Sequence, residues 1–220
     1  MSVLLLHGLT GHPDDLKPLD LALTAAGFHC ERPALPGHAC KDPKEIERYS
    51  ANDWVKFTQE HAAEVMIGLS MGGLLSVIAA AKKPPKKLIL LSPAFYLRTG
   101  GRALSLAAEY GLGRLVRAIP KAAGSDIAEP LAKAASKAYP EVSLKALCEF
   151  NIARKRALDV LPELSVKPHV FFGAHDHTVD VGASAALFAE PIIFSKSAHI
   201  LPVDYDQKEL IKQCLAILAE

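Results

Sequence analysis

The sequence predicts an α/β domain: a mostly parallel central sheet of about six strands, helices on both faces, and a helical segment inserted late in the chain. Three observations carry this. Short runs such as Val3-Leu4-Leu5-Leu6 are apolar at every position, as strands buried on both faces must be. Stretches with helical periodicity alternate with those runs, the pattern of successive βαβ units. The chain has 220 residues, half of them hydrophobic, enough for one sizeable core.

The elements follow in order. Val3 to Leu6 is the first strand, followed by a loop with glycine and proline from His7 to Pro13. Asp14 to Gly27 reads as a helix, with Leu16, Leu19, Leu23 and Ala26 at helical spacing and Gly27 as the stop. Phe28 to Arg32 is a short strand, and the breakers from Pro33 to His38 make a loop. Ser50 to Ala63 is helical, with Ser50 or Asn52 as N-cap. Glu64 to Gly68 is the next strand, and Met71 to Ala81 the helix after it, ended by Lys82 to Pro85. Lys87 to Ser92 is a further strand. From Leu97 to Val160 the chain is rich in Ala, Leu, Lys and Arg and shows helical periodicity without a clear strand. Strands resume at His169–Phe172 and Pro191–Phe194, and Asp206–Ala219 closes the chain as an amphipathic helix. The expected division is therefore a core of residues 1–96 and 161–220 and a helical cap of residues 97–160.

Composition narrows the function classes. The formal net charge is +1, with no long basic run, so no nucleic-acid partner is expected. No apolar window is long enough for a transmembrane helix. Met1 to Leu6 lacks the basic flank and the length of a signal segment and reads as a strand. Four scattered cysteines, Cys30, Cys40, Cys148 and Cys214, fit reduced thiols and a cytoplasmic location. The 97–160 segment carries 11 basic and 6 acidic residues, a surplus that fits a solvated face or an attraction for anions.

The strongest local signal is Gly68-Leu69-Ser70-Met71-Gly72, followed by Gly73. It fits G-x-S-x-G in the context that pattern requires, strand before and helix after. A sharp turn there lifts Ser70 out of the sheet with strained backbone angles, and flanking glycines remove side chains that would clash. The helix that begins next aims free N–H groups at any oxyanion formed on the serine. A structural serine in an ordinary glycine-rich turn is the bland alternative.

A serine hydroxyl needs a base to take its proton. On sheets with such a turn, the acid and then the histidine follow the serine in chain order. Asp176 comes right after the strand at His169–Phe172, and His199 after the next one. Asp180 and Asp204 compete with Asp176. Asp180 fits a helix cap, and Asp204 sits where it opens the last helix. His175 and His177 are too close to the acid to reach Ser70 easily, and His29, His38, His61 and His169 read as surface or structural residues. For the oxyanion, one donor is the N–H of Met71. The other is the N–H of Leu9 in His7-Gly8-Leu9-Thr10-Gly11, where His7 reads as a brace for the loop.

These motifs, with the His175–Asp180 and Ser197-Ala198-His199 segments, resemble the bacterial carboxylesterase and monoacylglycerol lipase branch of the α/β hydrolases. Pro36-Gly37-His38, Asn52-Asp53-Trp54 and Ser92-Pro93-Ala94 agree, and the similarity is weakest in the 97–160 segment. The resemblance implies the α/β-hydrolase fold with a small helical cap over the site. It implies a small-molecule ester substrate, a short- to medium-chain acyl ester or a monoacylglycerol, cleaved without cofactor or metal. The chain departs from that family in starting directly at the strand before the oxyanion loop, so the sheet is expected to lack the first strands of larger relatives. Leu104, Leu112 and Leu115, with Leu106 and Ile119, are candidates for the acyl wall or for the core of the cap. The same constellation serves thioesters and amides, and a binding protein can retain the fold; the sequence alone leaves these open, as it does the oligomeric state.

Overall fold

The computed structural model describes residues 1–111 and 116–219. Its strands, in chain order, are β1 (Ser2–Leu6), β2 (His29–Glu31), β3 (Val65–Leu69), β4 (Lys87–Leu91), β5 (Ala118–Pro120), β6 (Glu141–Ser143), β7 (Pro168–Gly173) and β8 (Ile192–Phe194). The helices are α1 (Lys17–Ala25), α2 (Ala51–Glu60), α3 (Met71–Lys82), α4 (Thr99–Glu109), α5 (Pro130–Ala134), α6 (Leu144–Val160), α7 (Val181–Ala185) and α8 (Gln207–Ala219).

Six strands form one parallel sheet in the order β2-β1-β3-β4-β7-β8. The alternation of side chains sorts its residues onto two faces. Leu4, Leu6, Met66, Leu88, Leu90, Val170 and Phe172 join one core, which α2, α3 and α6 cover with Trp54, Leu74, Leu75, Leu147 and Phe150. Val3, Leu5, Val65, Ile67, Ile89, Leu91 and Phe171 join the other, under Leu19 and Leu23 of α1 and Leu210, Cys214 and Ile217 of α8. Burial on both faces is why these strands carry no polar alternation.

The helix starts show where sequence reading was coarse. The predicted helix at Asp14 begins as a 3-10 turn, Pro13–Leu16, capped by the His12 side chain, and α1 starts only at Lys17. Ser50 is the N-cap of α2 and forms a reciprocal box with Asp53, which settles the choice against Asn52.

The 97–160 segment departs from the expected strand-free pattern. β5 and β6 pair antiparallel through Ala118↔Ser143, Ile119↔Val142 and Pro120↔Glu141. Three residues are too few to display a period of two, and their partners lie far off in sequence, so no local pattern announces them. The segment is anchored broadly. Along α3 it lays α6, and α4 packs against α6, where Asn151 Nδ2 donates to the Ser105 carbonyl at 3.2 Å.

Because the sheet is wholly parallel, β1, β3, β4, β7 and β8 end at one edge. The loops leaving that edge carry His7 to Gly11, Ser70, Ser92, Asp176 and His199. Residues far apart in sequence therefore meet there. Among the described residues no helix is long and apolar enough to cross a membrane.

Candidate active site

Ser70 occupies the bend between β3 and α3 with φ 56° and ψ −117°. Such angles are costly for a residue with a Cβ, and they persist only where the surroundings enforce them. Here the Ser70 N–H donates to the Leu91 carbonyl at 2.9 Å, and the Ser70 carbonyl accepts from Gly73 and Leu74. The flanking glycines are required: a Cβ on Gly68 would meet the backbone of Gly72, and one on Gly72 the backbone of Leu6.

The first loop lies directly against this bend. A Cβ on Gly8 would sit 2.9 Å from Ser70 Cβ and 3.3 Å from its Oγ. His7 braces the loop as expected. Its Nδ1 lies 2.9 Å from the Gly8 carbonyl, and its Nε2 accepts the Leu35 N–H at 3.0 Å. Burial, with smaller help from His38, holds its pKa well below the ordinary value, so the ring is neutral and suits this donor–acceptor role. His38 is buried too. It accepts the Thr10 N–H at 3.3 Å, and burial lowers its pKa to about 4. Thr10 itself has φ 58° and is gripped again by the Tyr139 N–H on its carbonyl at 2.8 Å and by Lys121 Nζ on its hydroxyl at 3.0 Å. The main-chain N–H groups of Leu9 and Met71 have no acceptor among the described residues.

His199 Nδ1 lies 2.7 Å from Asp176 Oδ2. Both residues are buried. The other carboxylate oxygen, Oδ1, accepts the N–H groups of Thr178 at 2.8 Å and Val179 at 2.7 Å. With Nδ1 so engaged, Nε2 is the imidazole nitrogen left for other partners. Burial alone would lower the pKa of His199, but the Asp176 carboxylate, aided by Asp126 and Asp15, more than offsets it and raises the value above 6.5.

Ser70 and His199 line one cavity of about 290 Å³, and Ser70 Oγ is not hydrogen-bonded to a described residue. Leu97, Leu104, Leu147 and Phe150 form an apolar wall, and Thr10, Asp15, Lys121 and Asp126 a polar one. Of the candidates for an acyl wall, Leu104 lines this cavity, Leu106 is exposed and Ile119 packs against the core. Leu112 and Leu115 lie outside the described residues. The wall residues Leu147 and Phe150 were not singled out from sequence, because a leucine or phenylalanine on a helix reads equally as core.

Three further acids sit near this site, one placed as expected and two not. Asp180 caps α7 through the Ala183 N–H, as expected. Asp204 does more than open the last helix: its buried carboxylate accepts from Ala128, Glu129, Ala198 and Tyr205. It thereby ties the 97–160 segment to the loop that carries His199. Asp126 also went unnoticed; it sits in a Gly-Ser-Asp turn that resembles any surface loop. Its carboxylate, that of Asp176 and the His199 imidazole offer donor atoms within 4.8 Å of one another. That spacing alone suits a cation, but the carboxylate oxygens already accept N–H and O–H groups. The set is organised around hydrogen bonds and one imidazole.

Comparison with known proteins places this geometry in context. The model of the Alpha/beta hydrolase family matches residues 3–212. The thermostable monoacylglycerol lipase of Bacillus sp. (strain H-257) is 30% identical over 245 residues, covering 100% of this chain and 91% of that protein. The carboxylesterase of Bacillus subtilis (strain 168) is 23% identical, covering 96% of this chain and 89% of that protein. Among solved structures, one of a metagenome-derived lipolytic enzyme is similar with a TM-score of 0.85 and 25% identity, covering 100% of this chain and 94% of that one.

Proposed function

Because this chain belongs to the alpha/beta hydrolase family, we propose that it is a serine hydrolase that cleaves carboxylic esters with Ser70, His199 and Asp176. The observation that carries the assignment is the 2.7 Å contact between His199 Nδ1 and Asp176 Oδ2, in a cavity shared with a serine on a strained turn. Asp176 fixes the tautomer in which Nδ1 bears the proton, so Nε2 is free to act as base.

In the proposed reaction Ser70 Oγ attacks the acyl carbonyl as His199 Nε2 takes its proton. The carbonyl oxygen becomes an oxyanion, held by the N–H groups of Leu9 and Met71, which have no described protein acceptor to compete. His199 then protonates the leaving alcohol, and an acyl-Ser70 ester remains. Water, deprotonated by the same imidazole, attacks that ester and releases the carboxylic acid and the free serine. Residues 97–160 act as a cap, and its Leu104, Leu147 and Phe150 give the acyl chain an apolar wall. A cavity of about 290 Å³ suits a short to medium acyl chain, and the similarity to a monoacylglycerol lipase extends the reading to monoacylglycerols. The chain's four free cysteines fit a cytoplasmic setting.

A fluorophosphonate probe and a series of p-nitrophenyl esters of increasing chain length test this. Wild type should label at one serine and hydrolyse the short and medium esters, and Ser70→Ala should do neither. Equal labelling of the two proteins would refute the assignment of Ser70.

A further inference from the structure

The residue that meets the acid–base pair from outside the sheet is Asp126, in the turn between β5 and α5. Its main chain and its side chain do different work. The Asp126 carbonyl accepts the N–H groups of both His199 at 3.1 Å and Ile200 at 3.2 Å. Its carboxylate reaches the other loop: Oδ2 accepts the His177 N–H at 2.9 Å and the Thr178 hydroxyl at 2.7 Å, and Oδ1 lies 3.3 Å from His177 Nδ1. His177 and Thr178 directly follow Asp176. One residue therefore ties the loop that carries the imidazole to the loop that carries its carboxylate. The turn itself is fixed to the His199 loop a second time, because Asp204 holds the N–H groups of Ala128, Glu129 and Ala198.

Resting on the function proposed above, we propose that Asp126 is a positioning residue for His199: it holds the imidazole against Asp176 and adds a second negative charge beside the imidazolium. The cluster geometry supports the electrostatic half, since donor atoms of Asp126, Asp176 and His199 fall within 4.8 Å of one another. At such a separation, in a site removed from water, a carboxylate stabilises the charged ring appreciably. The other charged groups facing the ring are Asp176 and Asp15. Lys121 lines the same cavity, bonded to Thr10, and His177 stands beyond Asp126. The segment that bears Asp126 is thus more than a cover for the cavity. It completes the support of the base.

The test pairs kinetics with a readout that does not need turnover. In Asp126→Asn the main-chain carbonyl and an oxygen acceptor remain, but the charge is gone. The imidazole pKa of His199, followed by nitrogen NMR on the whole protein, should fall by about 0.5 to 1 relative to wild type. The acid limb of kcat/KM should move down with it, while kcat drops about tenfold and KM changes less than about threefold. Asp126→Glu should return the pKa toward wild type, because it restores the charge, and Asp126→Ala should lower it as Asn does. An unchanged His199 pKa in Asp126→Asn would overturn the proposal, even if the variant were less stable or less active. Failure of the proposed function would look different: wild type would neither label nor hydrolyse esters, yet the NMR titration would still report on Asp126.

Discussion

Replacing Asp176 by Asn gives the sharpest test of the acid–base pair, because the geometry dictates how the amide must sit. Asp176 Oδ1 accepts two main-chain N–H groups, from Thr178 at 2.8 Å and Val179 at 2.7 Å. An asparagine has one oxygen, and those two donors claim it. The NH2 group then occupies the position of Oδ2, facing His199 Nδ1 across the former 2.7 Å contact. Two donors cannot share that contact, so the imidazole moves its proton to Nε2 and presents a donor to the cavity. It can no longer accept the proton of Ser70. Loss of the correct tautomer costs on the order of 10⁴ in kcat in a serine triad, which is about 5.5 kcal/mol of barrier. The fold should survive, since both main-chain bonds to the side chain persist. Turnover of p-nitrophenyl butyrate and the rate of fluorophosphonate labelling measure the effect, with urea unfolding as the control for stability. A residual rate above about a tenth of wild type, in a folded variant, would refute the reasoning.

Other outcomes follow from the same site. His199 must be neutral to act as base, and its pKa is raised above 6.5; kcat/KM should therefore climb with pH through a midpoint above 6.5 and then level off. The pH dependence of p-nitrophenyl ester hydrolysis checks this, and a midpoint below 6.5 would contradict it. Stability should also depend on pH, through the buried His38. Its pKa is lowered from 6.5 to about 4, so the unfolded chain takes up a proton that the folded protein refuses. Stability held above pH 6.5 is then lost as the pH falls toward 4, by about 3 kcal/mol from this group, with His7 acting in the same direction. Urea midpoints at pH 7 and 4.5 should drop more steeply in wild type than in His38→Gln. Finally, Gly8→Ala puts a Cβ 2.9 Å from Ser70 Cβ; the loop must retreat, and the Leu9 donor with it. A displacement of that size should cost about a hundredfold in kcat/KM, measured on p-nitrophenyl butyrate with urea unfolding as the control for stability.

How much of this was legible beforehand depended on whether the signal was local. The strand ends were readable, because apolar runs of five residues next to Gly-x-Ser-x-Gly leave few options. Ser70, Asp176 and His199 could be proposed because a parallel sheet brings its strand ends to one edge, so that order in the chain and a place directly after a strand pointed to them together. The role of His7 was also legible, since a histidine between an apolar strand and glycine has nowhere to go but inward. Asp126 and Asp204 were not, because their importance lies in partners 51 to 76 residues away. The pairing of β5 with β6 escaped for the same reason. Lys121 was counted among the segment's basic residues, yet its ammonium lines the cavity, and burial lowers its pKa to about 8. Composition records how many charges a segment has and says nothing of which one turns inward.

The bed of α6 along α3 has an engineering consequence. α3 follows Ser70 and is buried along nearly its whole length; α6 supplies part of its covering through residues such as Leu147, Phe150, Ala153 and Ala157. Trimming 97–160 down to a short linker would not yield a minimal enzyme with an open mouth. It would strip a central helix bare and leave a sticky, unstable remnant. Redesign of substrate range should therefore graft side chains onto the existing scaffold, at Leu104 or Leu147, and leave its backbone intact.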